Sequence, residues 1–495
     1  MKHAVSLLAL IAGFSGLHAP AVSAQQPVGE RAGQSGPFED ATLAYRLFGD
    51  GDAAGAIEPA RRAVAGDPAN LDWRLLLVDA LLAEGRAGEA FDALSPVAGL
   101  ADYRVQTRLA QAAEGAGRKA DAVGAYGRAA PLATDPAARA YLIRARILGL
   151  VELDRRAEAQ AAFDLAWREG QLAGHAPLDT AMLAIAVGDD RVAQDLFRLA
   201  DGQQPIRGRV ALDAGYSARR LGREGDAIFW FRRGLDSARA GEFTLDPQRE
   251  HEIRREVETL ERRWGAVFTV GQGAAGVDVG ATGSAPRVTQ AGVEAYWRVS
   301  GDNDGRPLDL FARAYGVLDA EGGWPSGSRT AQGWVGVRWR PFRDTNLVLE
   351  GSRMVALGDL ARDDTMLRAS WSAEDGGDLR FDRSSWPSWR LYGDLAYIVG
   401  DEQTLGVGEA RAGWTWRAGR NDMVTPYAAL RVGYDSRRAD ETVVTIGPGV
   451  AWRHWFREGE YSAPASYLDL WLAYDFDLSG DGRGEGLVVG GTVRY

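Results

Sequence analysis

Arginine, acid and ring residues recur through the second half of the chain in a pattern that suits binding rather than bond-breaking. Arg298, Arg313, Arg338, Arg390, Arg411 and Arg431 occur with Asp394, Glu409 and Asp469, and Tyr296, Tyr315, Trp334, Tyr392, Tyr427 and Trp471 are interleaved with them. Glu294, Asp309, Arg340, Glu350, Arg494, Trp452 and Tyr467 extend the set. Charged groups hydrogen-bond hydroxyls and aromatic rings stack on sugar rings, so a lumen lined by these types would form a path for a sugar chain. The competing reading is structural: a narrow barrel must fill its interior with paired charges merely to be stable.

Catalysis would need other residues. Of the five histidines, His3 and His18 lie in the first 24 residues, His175 and His251 in the first half, and only His454 in the second. A Ser-His dyad there would have to draw on Ser462 or Ser466, which are close only in sequence, and Trp452 and Trp455 flank the imidazole. A girdle or lumen histidine is the expectation, and the chain is not expected to be an enzyme. The absence of cysteine removes disulfides, thiol catalysis and cysteine-bound metal. The acidic stretch 477–485 lacks calcium-loop spacing and reads as the tight final hairpin, while Gly271-Gln272-Gly273 precedes no helix and is no dinucleotide fingerprint. No metal and no cofactor are expected.

The elements that must position the ring and charged residues are strands. Leu468, Leu470, Leu472, Tyr474 and Phe476 alternate with Tyr467, Asp469, Trp471, Ala473 and Asp475; likewise Leu308, Leu310, Ala312, Ala314 and Leu318 oppose Asp309, Arg313 and Tyr315. One face of each strand suits lipid and the other suits water. Lysine is absent from this half, and 13 of the 16 tryptophans lie after residue 263, as interfacial girdles require. The spacing predicts twelve antiparallel strands over 264–273, 288–299, 307–318, 329–340, 344–357, 364–373, 387–400, 404–417, 423–435, 441–455, 465–477 and 485–495. They would close into a transmembrane β-barrel over 264–495 whose even strand number leaves both ends of the domain in the periplasm. Periplasmic turns are ordinarily short, yet this register puts the long segments 374–386 and 457–464 there. Either a strand is miscounted or those segments contact the preceding half.

That preceding half is helical. A small/large/small triplet recurs as Ala56/Ala60/Ala63, Ala90/Leu94/Val97, Ala122/Tyr126/Ala129, Ala159/Phe163/Ala166, Ala193/Phe197/Ala200 and Ala227/Phe231/Gly234, with first members 34, 32, 37, 34 and 34 residues apart. That period belongs to tetratricopeptide (TPR) repeats, helix pairs that stack into a solenoid over 38–246. Residues 247–263 predict a charged connecting helix with Ile253, Val257 and Leu260 as its apolar stripe. At the N-terminus, Lys2 and His3 precede an apolar run to Leu17, and Val22-Ser23-Ala24 offers a cleavage site, so 1–24 reads as a signal peptide and 25–37 as a disordered linker. A net charge of -11 argues against a nucleic-acid partner.

In the segments Leu212–Ala218, Gly225–Phe231, Glu261–Gly265, Tyr461–Tyr467 and Gly480–Gly486 the chain resembles outer-membrane proteins of the bacteriophage adsorption protein A (NfrA) type. More loosely, it is similar to the porins of exopolysaccharide secretion. The resemblance implies export of a surface polysaccharide through the barrel. The partners would be outer-membrane lipids, the polymer itself, and periplasmic synthesis or secretion proteins recruited by the repeats. A second expectation is a non-conducting, outer-membrane-anchored scaffold for envelope assembly whose loops also serve phage adsorption.

Overall fold

A computed structural model describes residues 36–273, 288–299, 305–320, 325–438, 441–479 and 484–495. The expected signal peptide and nearly all of the expected linker lie outside the described residues, as does the tip of the final hairpin at 480–483. Contacts divide the chain into two compact units that meet at Gly149/Leu150 rather than at the start of the strands.

The first unit holds α1 (Pro37–Gly49), α2 (Ala53–Gly66), α3 (Leu71–Ala83), α4 (Ala87–Leu94), α5 (Tyr103–Gly115), α6 (Lys119–Ala129) and most of α7 (Pro136–Glu152). Asp52, Asn70 and Asp102 cap α2, α3 and α5 by accepting backbone N–H groups of the first turn. The second unit opens with α8 (Arg156–Arg168), α9 (Pro177–Val187), α10 (Asp190–Gln203), α11 (Gly208–Arg220), α12 (Glu224–Arg239) and α13 (Pro247–Glu261). The triplets fall on α2, α4, α6, α8, α10 and α12, and their members are buried with one exception. Val97 is only half-buried, because Pro96 ends α4 at Leu94 and puts Val97 in a 3-10 turn. Each turn ahead of these helices needs one left-handed residue: Gly51, Gly85, Gly117, Asp154, Gly188 and Gly222 have φ between +56° and +87°. Five are glycine, which alone enters that region without a Cβ penalty.

The strands follow as β1 (Trp264–Gly273), β2 (Val288–Arg298), β3 (Leu308–Ala320), β4 (Gln332–Trp339), β5 (Asn346–Ala356), β6 (Asp364–Asp375), β7 (Ser385–Ile398), β8 (Gln403–Arg417), β9 (Asp422–Asp435), β10 (Thr442–Phe456), β11 (Ser466–Asp477) and β12 (Gly486–Arg494). Each pairs antiparallel with its neighbours, and β12 closes on β1 with Val267 opposite Arg494. This is the twelve-stranded closed barrel that the alternation predicts. Closure leaves no strand edge unpaired.

Leu310, Val335, Leu367, Leu395, Leu430 and Leu470 are exposed on the outer wall. Trp264, Trp297, Trp339, Trp389, Trp414, Trp416 and Tyr495 ring the end at which β1 begins, here the near end, and Tyr397, Tyr474 and Phe476 lie toward the far end. An apolar band between aromatic rims is the surface that hydrocarbon and headgroups require. The two long near-end segments, 376–384 and 457–465, meet the helices of their own unit, so twelve strands stand and the second of the two alternatives holds. Among the described residues, no helix is long and apolar enough to cross a membrane.

Candidate functional site

Strand parity decides what faces the interior. All fifteen of the sequence-derived path residues, from Tyr296 on β2 to Trp471 on β11, share parity with buried neighbours and point inward. Trp452 does not. On β10 the buried residues are Thr445, Gly447 and Trp455, which puts Trp452 on the outer wall, stacked on His454 with ring centroids 6.0 Å apart. The segment Gly447-Pro448-Gly449 carries no hydrophobic alternation, so the sequence could not fix that parity.

The interior charges form separate networks. Arg313 bridges Glu294 (3.2 Å) and Glu350, Arg338 reaches Glu294 (2.9 Å), and Arg298 reaches Asp309 (3.2 Å). The Phe311 ring lies 4.4 Å from the Arg313 guanidinium carbon. Arg368 donates to Asp394 (2.6 Å), and Tyr392 donates to the same carboxylate (2.7 Å). On the neighbouring strands Arg431 bridges Glu409 (3.2 Å) and Asp475 (2.5 Å), while Arg411 donates to Glu409 (3.1 Å). Near the β1 end, Arg453 holds Asp469 through two 2.6 Å bonds. Arg390 is the most loosely held of these arginines, with Glu374 at 4.0 Å.

The rings lie against the wall. A Cβ on Gly265, Gly292, Gly449 or Gly490 would come within 2.1–2.6 Å of Tyr296, Tyr315, Tyr427 or Trp471, respectively. Each aromatic thus covers a glycine of an adjoining strand and occupies volume that a larger residue would need. Sequence reasoning read these rings as stacking platforms and missed the glycines beneath them.

Two apolar clusters were also not foreseen. Trp334, Met354, Met366 and Ile398 pack in the far half of the interior. Above them Arg362 pairs with Asp401 and donates to Gln403 (2.8 Å), which in turn donates to Asp435 (2.8 Å). At the near end Leu379 packs with Trp386, Met423 and Trp455. Leu379 belongs to the β6–β7 segment 376–384, which accepts hydrogen bonds from inward residues of three strands. Trp386 donates to Gly376 O (2.9 Å), Arg453 to Gly377 O (2.8 Å) and Arg417 to Arg380 O (3.0 Å). The segment therefore lies across the near mouth.

Helix α13 holds it there. Arg255 pairs with Asp378 and donates to Pro464 O (2.6 Å), Gln248 accepts from the Phe381 backbone (2.7 Å), and the His251 ring lies 5.0 Å from that of Phe381. Arg254 pairs with Glu458 (2.8 Å) on the β10–β11 segment. Asp378 keeps part of its side chain in solvent. Burial of the rest pushes its carboxyl pKa up, but the adjoining His251 ring and Arg255 guanidinium outweigh that and hold it down to about 2.

Residues 323–491 match the family described as Bacteriophage N adsorption protein A C-term. The resemblance read from the sequence is borne out there. The match spans β4 to most of β12. Among solved structures, a tetratricopeptide repeat protein from Parabacteroides merdae ATCC 43184 is similar at 15% identity, covering 45% of this chain and 85% of that one, with a TM-score of 0.31. Pseudomonas aeruginosa pilF is similar at 16% identity, covering 42% and 93%, with a TM-score of 0.30. No curated protein matches the chain.

His454 sits on the outer wall with Nδ1 2.9 Å from Asp422 and with Trp452 beside it, a rim position in which neither Ser462 nor Ser466 bonds to the imidazole among the described contacts. No group of three or more metal-ligating side chains occurs among the described residues.

Proposed function

We propose that this chain is an outer-membrane protein that acts by binding rather than catalysis. In this reading its barrel is an anchor and its periplasmic helical repeats are a scaffold for envelope or secretion proteins. One observation carries the reading: segment 376–384 crosses the near mouth and is pinned by α13. The buried ring and methionine side chains of the far half support it. Outer-membrane lipids are the partner of the apolar wall, and loops at the far end would serve phage adsorption, as the name of the matching family suggests for its members.

A second reading, export of a surface polysaccharide, is favoured by a different observation. The segment across the mouth is held largely by polar bonds at its rim, and Arg390 and Glu374 inside keep 43% and 61% of their side chains exposed. Withdrawal of the segment would join that space to the periplasm. Conductance of the full chain in a planar lipid bilayer separates the readings. The intact protein is expected to stay closed, and steady conductance would overturn the anchor. A variant lacking 377–383 that conducts would place the gate in that segment and favour export.

A further inference from the structure

Arg390 on β7 and Arg411 on β8 stand directly opposite each other in the strand register, both facing the interior. Directly opposed side chains are about 5 Å apart at Cβ, and like charges there repel unless something of opposite sign lies between them. The nearby acids supply it only in part. Glu409 is shared between Arg411 (3.1 Å) and Arg431 (3.2 Å), and Arg431 also engages Asp475. Arg390 also acts on Glu409 through charge, but its one ion pair among the described residues is with Glu374 at 4.0 Å, on a side chain that is mostly in solvent.

Both guanidinium groups are nevertheless held in place. Arg390 lies over the Tyr392 ring at 5.4 Å and Arg411 over the Tyr427 ring at 4.2 Å. Ring support leaves the edge of a guanidinium, where its N–H donors are, free to receive a ligand. The Nε of each is buried without a hydrogen-bond partner among the described residues, so the terminal nitrogens are the donors a ligand would reach. Two supported, planar donor forks beside solvent-accessible interior space match a ligand with paired anionic oxygens, as a carboxylate has, whose two oxygens accept from a guanidinium in parallel.

We propose that Arg390 and Arg411 form an anion site inside the barrel that binds the carboxylate of an acidic sugar. Tyr392 and Tyr427 act as positioning residues. The site requires only that the interior be open to solvent at Arg390. It therefore holds whether the barrel is an anchor or an export path, and the conductance experiment can fail without touching it.

Calorimetric titration of the full chain in detergent micelles tests the site with three probes: a galacturonate trimer, maltotriose as its neutral counterpart, and acetate. The galacturonate trimer should bind and maltotriose should not, and raised salt should weaken the binding. Arg390→Gln should weaken galacturonate by about tenfold or more, the loss expected when a charge-assisted bond is removed. Arg353→Gln, on the outer wall, should leave it unchanged. Circular dichroism checks that each variant retains its strands. Acetate binding that is likewise lost in Arg390→Gln would support the carboxylate and assign less to the sugar. The proposal is overturned if neither carboxylate binds, if maltotriose binds equally, or if a folded Arg390→Gln titrates like the parent.

Discussion

The helical repeats and the barrel bury opposite kinds of residue. In α8, α10 and α12 the interior is chiefly apolar, with Phe163, Phe197 and Phe231 fully buried, and apart from Asp190 the arginines and acids lie outside. In the barrel Leu310, Leu395 and Leu470 lie outside, while Arg313, Glu350, Arg431 and Asp475 are among the most buried side chains. The difference is one of solvent. A helix pair in water is held by apolar area removed from that water, about 25 cal/mol per Å². A barrel whose outer wall faces hydrocarbon gains nothing by hiding leucine, so its interior must satisfy polar groups instead. The same arginine-rich composition therefore serves as a solvated surface in one region and as packing in the other.

That contrast can be broken by substitution. Phe197 lies fully buried on α10, with the Trp230 ring of α12 at 6.4 Å. Phe197→Ala should cost about 3–5 kcal/mol through lost burial and an unfilled cavity, read as a lowered denaturant midpoint of the helical signal. The strand signal should move less. In the barrel, Glu350→Leu strips Arg313 of one of its two carboxylates and should cost about 3 kcal/mol. Replacing both partners, Arg313→Met with Glu350→Leu, should recover much of that loss, because no buried charge is then left short of a partner. If the double variant is no better than the single, the interior is not held by charge pairing and the contrast fails.

Much of this was legible because period and parity are local. The 34-residue triplets needed only small residues at fixed offsets, and β11 reads correctly because Leu468 to Phe476 alternate without interruption. Val97 escaped because Pro96 redirected one turn, and Trp452 escaped because Gly447-Pro448-Gly449 has no hydrophobic phase to extend. The near-mouth closure lay further out of reach. Leu379 and Trp386 both fall in the connecting segment 374–386 of the predicted strand pattern, and their burial depends on Met423 and Trp455, on strands that only the closed topology brings near. The glycines under Tyr296, Tyr315, Tyr427 and Trp471 were hidden for the same reason: each pairing crosses between strands, and a register must exist before a ring can be placed over its neighbour.

The repeats offer a finer test of local determination, since one of their six turns departs from the rest. Asp154 holds the left-handed position that glycine holds at 51, 85, 117, 188 and 222, with φ of +56°. Its side chain is exposed and accepts a 3.0 Å hydrogen bond from Arg156, which is also exposed, so removing it forfeits little. A side chain in this region crowds its own backbone, and aspartate tolerates that better than most residues but worse than glycine. Asp154→Gly should therefore stabilise the helical part by about 0.5–1 kcal/mol, visible as a small rise in its denaturant midpoint. The opposite exchange, Gly188→Asp, should lower it by a similar amount. Should Asp154→Gly destabilise instead, the turn would depend on the aspartate–arginine pair, and the glycine rule would not govern the linkers of this repeat.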